Sequence, residues 1–170
     1  KEVAEEHPPA GDLLNPEAMQ CFIRLVYERF YEEFGSHFGK TIKAVFTDEP
    51  HVMGRGHFPN INPRPGTSGI LEHVNAYLGY DFAPRLPALW DDKETNTARC
   101  RADYARAIRH RLQETYYKPI SDWCAAHGIA LTGHPARSDD IGMLTYFQIP
   151  GQDVVLRYIE PGEESALTGP

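Results

Sequence analysis

Thr41-Ile42-Lys43-Ala44-Val45-Phe46-Thr47-Asp48-Glu49-Pro50 is the stretch whose reading decides the fold. Ile42, Ala44, Val45 and Phe46 make a short apolar run, and Ile, Val and Phe favour strands. Gly39 and Pro50 bound the run, which is too short for a helix. Proline has no N–H to give to a ladder, so Pro50 closes the strand and leaves Asp48 and Glu49 at its C-terminal end. In α/β proteins with parallel strands, that end carries the chemistry. A solvated acidic turn is the alternative reading of Asp-Glu-Pro. The apolar run ahead of it instead puts the two carboxylates at the edge of a core.

Upstream, residues 1–11 carry Pro8, Pro9 and Gly11 and read as a lead-in loop. Asn15 is a helix N-cap, Pro16 takes the first helical position and Glu17 suits the positive end of the dipole. Met19, Phe22, Ile23, Val26, Phe30 and Phe34 then fall on one face, which predicts packing against a sheet. Gly35 and Gly39 end the helix.

Downstream, residues 51–95 read as an insertion of loop and helix after the strand. The part from His51 to Thr67 is rich in Gly and Pro, and a long loop at a strand's carboxyl end is a candidate pocket wall. Ser68 is the expected cap of a short helix through Leu71, Val74 and Leu78, stopped by Gly79. The segment from Asp81 to Trp90 holds two prolines and reads as irregular, with Phe82 and Trp90 either core residues, the favoured reading, or sugar-stacking platforms.

The longest helical pattern runs from Thr97 to His127. Cys100, Tyr104, Ile108, Leu112, Tyr116, Ile120 and Trp123 keep a near-four-residue beat, and the arginines between them predict a solvated face. Pro119 is expected to kink or split it, and Gly128 to stop it. A second strand follows at Ile129-Ala130-Leu131-Thr132-Gly133 and closes on His134-Pro135, repeating the layout of the first. Met143 to Ile149 is a third strand candidate and Val154 to Ile159 a fourth. Helices alternating with strands predict a parallel sheet with crossovers.

With 170 residues, 41% of them hydrophobic, the chain suits one globular domain. Its net charge of -7 argues against a general nucleic-acid binder. Cys21, Cys100 and Cys124 form no Cys-x-x-Cys pair and sit in helical patterns, so they read as free thiols. No apolar run is long enough to span a membrane. The odd cysteine count leans toward the cytoplasm, although a chain that opens on Lys1 says little about targeting signals.

Parallel strands share a direction, so their carboxyl ends meet at one rim. Asp48 and Glu49 end one strand, His134 the next, and Asp153 follows a later one. Such a cluster invites proton transfer by a carboxylic acid or divalent metal binding. There is no His-Glu-x-x-His, Gly-x-Ser-x-Gly or phosphate-cradling loop to narrow the choice.

Three segments together resemble a bacterial group of (β/α)8-barrel glycoside hydrolases, the α-L-rhamnosidase-like enzymes near glycoside hydrolase family 106. The first is Asp12-Leu13-Leu14-Asn15-Pro16-Glu17 with its helix and Phe46-Thr47-Asp48-Glu49-Pro50. The others are residues 123–134, Trp-Cys-Ala-Ala-His-Gly-Ile-Ala-Leu-Thr-Gly-His, and Gln148-Ile149-Pro150-Gly151-Gln152-Asp153. Asp48-Glu49-Pro50 is also similar to the Asn-Glu-Pro of a large barrel-hydrolase clan, whose Glu is the acid/base. The resemblance implies Glu49 as proton donor to the glycosidic oxygen. It implies Asp48, His51, His134, Arg137, Asp140 and Asp153 as sugar-binding residues, a carbohydrate substrate, and neither cofactor nor metal. Asp48 stands where the clan has Asn.

A whole barrel takes about 250 residues, so the expected fold is α/β, a partial (β/α)8 barrel from the middle of a larger enzyme. Glycoside hydrolysis needs a second carboxylate. Asp139, Asp140, Asp153 and Glu160 are the candidates within the chain, and a residue outside it is the favoured source. Two other readings stand beside this one: a metal-dependent hydrolase using His51, Glu49, His134 and Asp153, and a non-catalytic carbohydrate-binding piece.

Overall fold

A computed structural model of the chain describes residues 11–53, 62–137 and 140–151. These fall into two compact units: residues up to 33 with 51–119, and residues 34–50 with 120 onward. Among the described residues, no helix is long and apolar enough to cross a membrane.

The first unit is helical. Helix α1 (Pro16–Phe22) begins as its sequence dictates, with the Asn15 side chain accepting the N–H groups of Glu17 and Ala18 and Pro16 in the first turn. A π-helical segment (Ile23–Glu28) joins it to α2 (Arg29–Phe34). The apolar stripe does not pack as expected. Met19 and Tyr27 are buried, but Phe22, Val26, Phe30 and Phe34 are 38–48% exposed. A π turn holds more residues than an α turn, so the face beyond Phe22 rotates and Tyr27 takes the inward position that a 3.6-residue period gives to Val26.

Helix α3 (Ile70–Leu78) is capped by Gly69 and Gly79, both left-handed. Ser68 is therefore not the cap; Gly69 occupies that position and offers no side chain. A 3₁₀ segment (Ala83–Leu89) follows, with Pro84 in its first turn and Pro87 inside it. Phe82 is fully buried, as expected, whereas Trp90 is 53% exposed and donates its indole N–H to the Asn62 carbonyl at 2.9 Å. An indole with a polar partner to satisfy sits well at a surface.

Helix α4 (Thr97–Leu112), a π segment (Gln113–Tyr117) and α5 (Lys118–Ala126) form one continuous helical run. Cys100, Tyr104, Ile108, Leu112, Tyr116, Ile120 and Trp123 are all buried. Pro119 neither splits nor ends the run. The π segment lies directly before it, where Lys118 donates its N–H to the Gln113 carbonyl in place of an α-helical partner. Some of the arginines do more than face solvent. Arg101 donates to the Ala88 carbonyl and Arg111 to the Leu14 carbonyl, each at 2.9 Å.

The second unit holds the sheet. Strands β1 (Ala44–Asp48), β2 (Ala130–His134) and β3 (Ile149–Pro150) pair in parallel, in that order. The protein is thus mixed α/β with a small parallel sheet. Met143 lies not in a strand but in a 3₁₀ segment (Ile141–Tyr146), and only Ile149 and Pro150 join the ladder. An apolar run without alternation does not by itself tell a strand from a helical turn; here the Met143 and Phe147 N–H groups bond back to the Asp140 and Leu144 carbonyls, each at 3.1 Å, and not across to β2. The strand expected over Val154–Ile159 lies outside the described residues.

Alternation divides the sheet's residues. Thr47, Leu131 and Gly133 form a buried face. Phe46, Asp48, Thr132 and His134 form the other, on which Phe46 is 56% exposed. Gln148 ties the sheet to α5: its side chain donates to the Ser121 hydroxyl and accepts the Leu131 N–H.

Candidate active site

The site grows from the register of β1 on β2. Ala44 pairs with Ala130, and each step along the ladder brings the next pair together until Asp48 stands opposite His134. Both strands then stop at a proline, Pro50 or Pro135, and both prolines are buried. Register partners in a sheet share a face, so the Asp48 and His134 side chains meet. His134 Nδ1 lies 3.3 Å from Asp48 Oδ1. That separation suits an ion pair, yet Nδ1 is buried without a hydrogen bond among the described residues. Orientation, not distance, keeps the two from bonding.

The imidazole is steadied from the side by Phe46, whose ring meets it edge-on at 5.1 Å between centroids and 88° between planes. Glu49 follows Asp48 with φ 44°, in the left-handed region, and its N–H donates to the His134 carbonyl at 3.3 Å. The turn returns its carboxylate to the same rim. One ligand-capable atom from each of Asp48, Glu49 and His134 lies within 4.8 Å of the others. Asp48 is exposed, while Glu49 and His134 are half-buried.

The arrangement has two chemical capacities. A half-buried carboxyl beside a second carboxylate and an imidazole is equipped for proton transfer. The same three groups offer hard oxygen and imidazole nitrogen donors to a divalent cation.

Of the residues singled out in the sequence, the fold brings Asp48, Glu49 and His134 together. His51 belongs to the other unit, where it is exposed and its Nδ1 accepts the Met53 N–H at 3.3 Å. Arg137 is exposed beyond β2, and its carbonyl accepts the Asp140 N–H at 3.0 Å. Asp140 is half-buried at the start of the last 3₁₀ segment. Asp139, Asp153 and Glu160 lie outside the described residues.

Two contributors escape a reading of chemistry-bearing residues alone. Phe46, part of the apolar run of β1, borders the imidazole. Gly133 has φ 134°, and its place inside a strand was the available signal, since a strand glycine marks a close approach of backbone.

The chain is therefore an α/β protein that gathers two carboxylates and a histidine at the carboxyl ends of adjacent parallel strands. In fold it is similar to part of the rhamnosidase from Novosphingobium sp. PP1Y, with a TM-score of 0.57 and 20% identity over 84% of this chain. The match spans 14% of that enzyme's length. No family model matches the chain, and no curated protein does.

Proposed function

We propose that this chain is a segment of a glycoside hydrolase, with Glu49 as the general acid that protonates the glycosidic oxygen. The observation that carries the reading is the meeting of Asp48, Glu49 and His134 within 4.8 Å at the carboxyl ends of β1 and β2. Strand ends of this kind are where barrel hydrolases keep their acids. The fold likeness to a rhamnosidase adds the substrate class, an α-L-rhamnoside or a related sugar. Asp48 and His134 are the residues nearest to hold sugar hydroxyls, and Arg137, Asp140, Asp153 and His51 are further candidates.

The sheet is read as part of a (β/α)8 barrel. All-parallel sheets are normally covered on both faces, whereas here Phe46 and Asp48 of one face are exposed. In the barrel reading that face looks inward. The second carboxylate that glycoside hydrolysis requires comes from another strand of the parent enzyme.

The test is Glu49→Gln in the full-length enzyme, assayed on aryl α-L-rhamnosides alongside its thermal unfolding. The expected result is a loss of about 10²–10⁴-fold in rate with folding retained. Full rate in the variant overturns the assignment. A cation held by Glu49, Asp48 and His134 is the second reading, favoured by their mutual reach and the unbonded Nδ1. Activity that survives exhaustive chelation removes it. Sugar binding without turnover in the full-length protein replaces both with a binding role.

A further inference from the structure

We propose that Gly133 is a positioning residue that holds Glu49 in a backbone conformation adopted for its side chain's use and not for the fold's stability. The inference deepens the proposed function and rests on it for the role of the carboxyl. Among the described residues other than glycine, only Glu49 and Asn96 have positive φ. Asn tolerates the left-handed region; glutamate has no local hydrogen bond to offset the clash of its Cβ. A chain selecting residue 49 for backbone comfort would place Gly or Asn there.

What enforces the conformation is the strand end beside it. A Cβ on Gly133 would stand 1.9 Å from the Thr47 carbonyl oxygen and 2.8 Å from the Thr47 carbonyl carbon and nitrogen. These are backbone atoms that cannot swing aside, so only glycine lets β2 lie this close to β1. The next residue, His134, then presents its carbonyl to the Glu49 N–H. Behind Gly133 sits a second glycine. The Gly151 N–H donates to the Gly133 carbonyl at 3.0 Å, and a Cβ on Gly151 would come within 2.9 Å of that oxygen and 3.4 Å of His134 Cδ2. Gly133 thus lies against the Thr47 backbone on one side and Gly151 on the other, and Glu49 is the residue that bears the resulting turn. Strain of this kind is concentrated at functional sites and maintained by surroundings that over-determine it.

The test has two arms in the full-length protein. The first compares the thermal midpoints of Glu49→Gly, Glu49→Asn and Glu49→Gln. Gln removes the charge and keeps the strained backbone, while Gly and Asn also release the strain. Glu49→Gly and Glu49→Asn should melt above Glu49→Gln by about 2–12 °C, the shift expected for relief of one such residue in a domain of this size. Midpoints at or below that of Glu49→Gln overturn the strain.

The second arm uses Gly151→Ala, because Gly133→Ala is expected to disrupt the sheet outright. Alone, it should lower kcat at least 10-fold on an aryl glycoside with KM within about 2-fold. In a Glu49→Gln background it should lower the midpoint equally but remove no further activity. An equal fold-loss of activity in both backgrounds, or a change confined to KM, makes the glycines merely structural and overturns the positioning role. A wild type that turns over no glycoside sinks the hydrolase reading and with it the positioning role, while the midpoint comparison still decides the strain.

Discussion

The helical run over residues 97–126 and the one over residues 16–34 carry the same kind of apolar pattern and bury it differently. Both show an apolar beat of three to four residues, and both contain a π segment. In the first, every residue on the beat from Cys100 to Trp123 is buried. In the second, Phe22, Val26, Phe30 and Phe34 stay 38–48% exposed. The beat thus names a face without naming what covers it. The two π segments also act unequally. In the longer run Tyr116 and Tyr117 are both buried, so the apolar face is wide enough to absorb the extra residue. In the shorter run the face is narrow, and the change of phase moves Tyr27 in and Val26 out.

The contrast can be broken by substitution. The largest effect is expected at Ile120, fully buried in the longer run. Ile120→Ala should cost about 2–5 kcal/mol in urea unfolding, and a cost below about 1 kcal/mol would mean that the beat does not report the core. The shorter run depends more on its start than on its stripe. Asn15→Ala removes the acceptor for two N–H groups and should cost about 1 kcal/mol, measured the same way.

A smaller effect is expected from pH. His73 of α3 stacks on His110 of α4 with centroids 5.4 Å apart, and its Nε2 lies 3.1 Å from the Ala107 carbonyl. Burial, with Arg111 and His110 adding to it, holds the His73 imidazole below its ordinary value, against the opposing pull of the Ala107 hydrogen bond and Glu114. The unfolded chain then binds the proton more readily, so this part of the stability is complete above pH about 6.5 and declines as pH falls below it. Unfolding of His73→Gln followed over the same pH range should show a shallower decline, and parallel curves would exclude His73 as the source. The smallest effect is expected at Val26, where Val26→Ala should change stability by no more than about 0.5 kcal/mol. A cost near that of Ile120→Ala would show the exposed stripe to be core after all.

Much of this fold follows from short-range signals. Asn15 and Pro16 start their helix, Gly79 and Gly128 stop theirs, and both apolar pentads became strands. The meeting of Asp48, Glu49 and His134 was also legible, because parallel strands with matching carboxyl-end prolines leave their last polar residues side by side. What was not legible depends on contacts between distant parts of the chain. Nothing local to Trp90 reveals that Asn62 will accept its N–H at the surface. Nothing local to residues 143–149 tells a 3₁₀ turn from a strand until the ladder reaches Ile149. The positive φ of Glu49 goes with a hydrogen bond from its N–H to the His134 carbonyl on the neighbouring strand, a partner that Asp48-Glu49-Pro50 alone does not reveal.

The pairing of Asp48 with His134 also makes the rim a single mechanical alignment. Slide β2 along β1 by one residue and His134 faces the wrong neighbour, while Leu131 turns outward into water. The cluster cannot be retuned by small slippage; it is either in step or lost. A single added or deleted residue inside either pentad would turn every residue beyond it to the opposite face and abolish the constellation at once.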